Sequence, residues 1–127
     1  MSRWTGARWA EMTEISNDKG PYKLGRFEAE KGHVVTAQIV ESFGVQGAPM
    51  KGGQALLIPL DGDEGKFVAL VMPPPKDRYD AQKEGETTLI NNKTGTRISM
   101  LENGDIQVES TAAIVIRSAS TIHINPT

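Results

Sequence analysis

The sequence predicts an all-β protein in two parts, a small barrel followed by a repetitive stem. Three observations carry this. Short apolar runs with β-type alternation lie between residues 22 and 72, glycine- and proline-rich connections separate them, and from residue 90 onward apolar residues recur every eight positions.

Taken in order, residues 1–19 hold Trp4, Trp9 and Met12 among charges at a loosely helical spacing, and are expected to form an N-terminal arm. The two tryptophans, the only ones in the chain, either anchor a neighbouring subunit or cap the arm's own domain. Residues 22–29 and 33–41 are strand candidates, the second showing Val35, Ala37 and Ile39 in alternation with polar neighbours. A loop over 42–53 contains Gly44, Gly47, Pro49, Gly52 and Gly53. Two apolar runs, 54–60 and 66–72, flank Asp61-Gly62-Asp63-Glu64-Gly65, which is a hairpin signal. Four or five such strands suit a small barrel, for which the OB fold is the expected form. Pro73-Pro74-Pro75 cannot continue a ladder, so the barrel domain is expected over 20–80.

The stem is expected over 81–127. Ile90, Ile98, Ile106, Ile114 and Ile122 form one series, and Met100, Val108, Ile116 and Ile124 follow two residues behind. An i, i+2 pair shares one face of a strand, and Lys93-Thr94-Gly95 and Asn103-Gly104-Asp105 supply turns. Each octad therefore reads as one strand and one turn. A single layer of such strands would expose a long apolar face, which a trimeric β-prism or β-helix would bury on its axis; an antiparallel meander within one chain is the other arrangement with this spacing.

Composition narrows the chemistry. The chain has 127 residues and a formal net charge of −2, which offers no general attraction to nucleic acid or anionic lipid. With no cysteine, disulfides and thiolate metal sites are excluded. Neither a signal-peptide core nor an apolar run of about 18 residues occurs, so export or insertion by the usual routes is not expected. From residue 110 to 127 the only charged side chain is Arg117, an unusual surface for a free soluble domain and a suitable one for an element that must shed water. No enzyme is expected: His33 and His123 are the only histidines, no G-x-S-x-G elbow is present, and the Asp61/Asp63 and Asp63/Glu64 pairs sit in a glycine-rich turn. His33, following Gly32 at a strand start, reads as structural.

The run ESFGVQGAPMKGGQALLIPLDGDEGKFVALVM (41–72) followed by KEGETTLINNKTGTRISMLENGDIQVES (83–110) resembles the phage baseplate assembly protein V family in its Mu-like form. The shared features are a Phe-Gly pair with a later proline, a glycine-bounded pair of apolar strands, a Gly-Glu opening the next strand, and strands leading into the repeat. The resemblance implies a homotrimer with an OB-fold collar and a β-helical stem. It would be the central spike of a contractile tail, held in the virion baseplate under a hub protein at the barrel end and assembled in the host cytoplasm. On sheath contraction it would be driven through the host outer membrane. The trimer core would then be Ile98, Met100, Ile106, Val108, Ile114, Ile116, Ile122 and Ile124. Family tips often carry a His-x-His pair that binds iron on the axis. Here His123-Ile124-Asn125 replaces one histidine, leaving three His123 imidazoles, with Asn125 oxygens, as donors for iron or another metal ion. If Ile122 and Ile124 point inward, however, His123 points outward. A separate tip-capping protein is the alternative ending.

Two other readings share these features. A tail-like injection machine such as a contractile bacteriocin would use the same spike. An OB-fold binding module with a β-meander extension, for nucleic acid or a protein partner, is the rival from another class. A nucleic-acid groove needs basic residues interleaved with stacking aromatics; the aromatics over 20–75 are only Tyr22, Phe27, Phe43 and Phe67, among balanced charges.

Overall fold

The computed structural model describes residues 6–17, 20–60 and 63–126. The chain is all-β and divides into two compact units, 1–78 and 79–127, where the proline run suggested a boundary at 80/81.

The first unit is a closed five-stranded barrel of β1 (Arg8–Asn17), β2 (Leu24–Glu30), β3 (His33–Ile39), β4 (Gln54–Leu60) and β5 (Asp63–Met72), in the order β1-β2-β3-β5-β4. Four of the pairings are antiparallel, including the β1–β4 closure; β3 and β5 run parallel, with Gln38 opposite Val68 and Ile39 opposite Ala69. Parallel neighbours need a long crossover. Here it is supplied by the loop after Ile39 together with β4, which lies on the far side of β5.

Residues 8–17 correct the expected arm: they are a full barrel strand, paired on both sides. The alternation was present in the sequence, since Ala10 and Met12 point into the core while Trp9 and Glu11 are exposed. It is broken by a register shift between Met12 and Glu14, which spoils the two-residue period that would have announced a strand. Trp4 lies outside the described residues.

Small side chains alternate with large ones in the barrel interior. Phe27, Met12 and Leu57 are fully enclosed, and Ala10, Ala37, Ala55 and Ala69 leave them room. Gly25 belongs to the same fit, because a Cβ there would lie 3.0 Å from the Phe27 ring and 3.2 Å from Ile39 Cδ1. In a barrel this narrow the sum of side-chain volumes must match the lumen, so bulk at one position requires alanine or glycine at its neighbours.

The second unit begins after a short 3-10 turn, Pro75–Asp77, preceded by the buried Pro74. It contains an antiparallel three-stranded sheet of β6 (Thr87–Ile90), β7 (Arg97–Met100) and β8 (Ile106–Glu109). No β-helical stem is formed by this one chain: after β8, residues 110–126 carry turns but no strand. A strand needs a partner backbone, and the chain does not fold back onto the free edge of β8.

Gly53 tests the barrel closure. Its carbonyl accepts the Met12 N–H at 2.8 Å, extending the β1–β4 ladder, and a Cβ on it would come within 2.8 Å of the Met72 carbonyl oxygen and 3.1 Å of that of Met50. Both obstacles are backbone, so neither can rotate away. Gly53→Ala is expected to cost about 1–3 kcal/mol, read as a lower denaturation midpoint with an unchanged slope in urea.

Candidate assembly surface

Register in the second unit assigns every side chain to a face. Leu89 stands opposite Ile98 and Ile98 opposite Val108; Thr87 stands opposite Met100 and Met100 opposite Ile106. These six residues share one face. The other face holds Thr88, Ile90, Arg97, Ser99, Gln107 and Glu109.

Ile90 is therefore out of phase with the series it was expected to open. The connection from Asn91 to Thr96 closes with Asn91 N–H donating to Thr96 O at 2.9 Å, and this pairs Ile90 with Arg97. Leu89 takes the place across from Ile98. Counting by eights cannot detect this, because the offset is set by turn length and not by the repeat.

The single buried residue of this sheet lies on the polar face, although Gln107 and Glu109 on the same face are exposed. On the polar face Ser99 is only 5% exposed and lies 3.2 Å, Oγ to Oγ1, from Thr88; Arg97 stacks on Tyr79 at 5.1 Å, ion-pairs with Glu109 and donates from Nη1 to the Gly95 carbonyl. The apolar face is open. Leu89 is 56% and Ile106 72% exposed, with Ile98, Met100 and Val108 also exposed. The expected trimer-core residues beyond the sheet, Ile114, Ile116, Ile122 and Ile124, are exposed as well, the last at 86%. One chain leaves all eight of the expected core residues largely in solvent, whereas monomeric proteins rarely expose large contiguous apolar areas.

The octad also persists in the turns. Thr94 Oγ1 accepts the Thr96 N–H at 3.3 Å, Ser110 Oγ accepts that of Ala112 at 3.1 Å, and Ser118 Oγ accepts that of Ser120 at 3.2 Å. Ser110 and Ser118 each donate in turn to the carbonyl three residues on, at 3.1 and 3.0 Å. These hydroxyl turns fall on positions 94, 110 and 118 of one eight-residue series. Position 102 is Glu102, whose N–H donates instead to Glu86 Oε2 at 3.0 Å, and Glu86 belongs to the same series. The sequence reading passed over this hydroxyl series, although a Thr or Ser at fixed phase was there to be counted.

His123 and Asn125 both lie exposed in the strandless segment. Among the described residues no three His, Cys, Asp or Glu side chains of one chain come together. A site on a threefold axis draws one residue from each copy, so it is not a property of the single chain. No helix of the described residues is long and apolar enough to cross a membrane.

Glu86 ties the first turn of this unit to the second hairpin. Its carboxylate accepts the Lys83 N–H at 3.0 Å through Oε1 and the Glu102 N–H through Oε2, and these two bonds, Lys83 first, hold its pKa below the ordinary 4.5. Because the folded value is the lower one, the stabilisation is complete above the unfolded pKa and fades as pH falls through the depressed one. The amide of Glu102 is expected to be more protected from exchange in wild type than in Glu86→Gln at pH 6, and the difference is expected to vanish once the pH is well below 4.5. Equal protection at both pH values would show that the carboxylate charge contributes nothing there. No known family model matches the sequence, and no curated protein matches it significantly.

Proposed function

We propose that this protein is a homotrimeric central spike of a contractile phage tail or a related injection machine. In this reading the first unit is an OB-fold collar beneath a hub protein, and the second unit is one third of a β-helical stem that pierces the host outer membrane when the sheath contracts. The force comes from the sheath, so the spike contributes stiffness and shape and performs no catalysis.

One observation carries the reading most: the apolar face of β6-β7-β8 stays open while the polar face buries Ser99 at its centre, and the same apolar pair repeats every octad through Ile114, Ile116, Ile122 and Ile124. Three copies about an axis would bury those faces against one another and give residues 110–126 the strand partners that one chain lacks. The barrel's strand order, with its single parallel β3–β5 pair, supports the OB form of the collar. The nearly uncharged stretch from 110 onward supports passage through an apolar layer.

Light scattering of the purified chain is expected to give three times the 13.8 kDa chain mass. Ile114→Asp would place three carboxylates in a dry core at several kcal/mol each, and sedimentation is expected to show loss of the trimer; an unchanged oligomer would remove the stem from the reading.

For the tip, three imidazoles and three amide oxygens from His123 and Asn125 could in number fill an octahedral shell around iron. The octad phase opposes this, since it assigns Ile122 and Ile124 to the axis and turns His123 outward. Elemental analysis is therefore expected to find less than one metal ion per three chains. A stoichiometric ion, lost in His123→Ala, would show instead that the histidines face the axis.

A further inference from the structure

The barrel has an apolar surface of its own. Along β4 and β5 the inward positions Ala55, Leu57, Phe67 and Ala69 are buried, as expected. The outward positions are apolar too: Leu56 pairs with Leu70, Ile58 with Val68, and Met72 lies opposite Gln54. Trp9 on β1 pairs with Leu56 and continues the patch onto the next strand. Trp9, Leu70 and Met72 are exposed. Strands apolar on both faces are the pattern of a sheet covered on both sides, and no described residue of this unit covers Trp9, Leu70 or Met72.

The same unit carries a projection of matching chemistry. In the loop that follows β3, Val40, Phe43 and Val45 are all exposed, Phe43 completely, at 107%. This loop is braced. Glu41 pairs with Lys23 at 3.1 Å and accepts the Gly47 N–H at 2.8 Å, while Lys23 also donates to the Gly47 carbonyl. Val45 N–H closes a turn onto Ser42 O at 3.0 Å, with Gly44 at φ +83° supplying the left-handed corner next to Phe43. A braced loop thus holds an aromatic ring wholly in water, and the ring does not lie on its own barrel's patch.

A cyclic trimer needs contacts between non-identical surfaces, each copy presenting one to the neighbour on its left and another to the neighbour on its right. A chain bearing both a fixed aromatic projection and a separate apolar face meets that need. We infer that the Phe43 loop of one copy seats on the outer β4–β5 face of the next, locking the three barrels head to tail. This rests on the trimeric reading above and adds a contact outside the stem; Phe43 and Trp9 would be its aromatic anchors.

The chain's lack of cysteine makes the test direct. Phe43→Cys and Leu70→Cys chains with different affinity tags are co-expressed and treated with a short bismaleimide, so that a mixed product can form only between copies. The expected result is a covalent pair containing one chain of each kind, several-fold over either like pair, and a covalent trimer from the double variant. Val45→Cys with Leu56→Cys is the second pairing should the first assemble poorly. A trimer by light scattering with no mixed product from either pairing, or with Phe43 joined only to Phe43, overturns the inference and leaves the face for a different protein such as the hub. A monomeric mass for the wild-type chain withdraws the inference and the trimeric reading together.

Discussion

The second unit depends on a face it cannot bury. Its sheet has four-residue strands, so the area that one strand can cover on another is small, and its own covering residue, Tyr79, is spent on the polar side beside Arg97. An antiparallel meander that served as a free extension would carry the reverse arrangement, apolar side in and polar side out. With Leu89, Ile98, Met100, Ile106 and Val108 all turned to water, that face adds little hydrophobic stabilisation to the fold of the single chain and remains available to association. The lack of strands over 110–126 follows from the same deficit: the apolar pairs continue, and among the described residues neither a facing layer nor a neighbouring backbone fixes them.

The barrel works under the opposite constraint. There the interior is closed and narrow, and the sequence meets it with alanines and Gly25 around Phe27. Its buried core lies within the unit, and its remaining apolar residues are placed outward on β4, β5 and the Phe43 loop. Both units thus end with apolar surface, for different reasons: the stem because its strands are too short and single-layered, the barrel because its lumen is already full.

Much of this was legible in the sequence. The runs at 54–60 and 66–72 announced β4 and β5, and the octads announced β7 and β8, because apolar alternation and glycine turns act locally. β1 was not legible, since a register shift interrupts its alternation, and Trp9 suggested an anchor without saying that a barrel strand presents it. The error at Ile90 has the same origin. A repeat specifies spacing, while the face on which a residue falls depends on how the preceding turn closes, and Asn91 to Thr96 closes to favour Leu89. The loop over 42–53 read as a glycine-rich connection with a Phe-Gly pair; its bracing depends on Lys23, far away in sequence, and so carried no local signal.

In the proposed trimer the repeat raises a difficulty that a contact between barrels would resolve. A trimer built only from octads could slip by eight residues and exchange like for like, with Ile106 and Val108 entering the place of Ile98 and Met100, so that only the octad left uncovered at the end opposes the shift. Hydrophobic contact is non-directional and does not tell one octad from the next. Register must therefore be fixed by what does not repeat. Glu86 reaching to Glu102 and the Leu89 strand mark one end of the repeat within each chain, but they do not compare one chain with another. In the proposed trimer a contact between the barrels would do that. A braced loop fitting one particular face would supply a single position of fit, and from there the uniform octads could align without a further signal of their own.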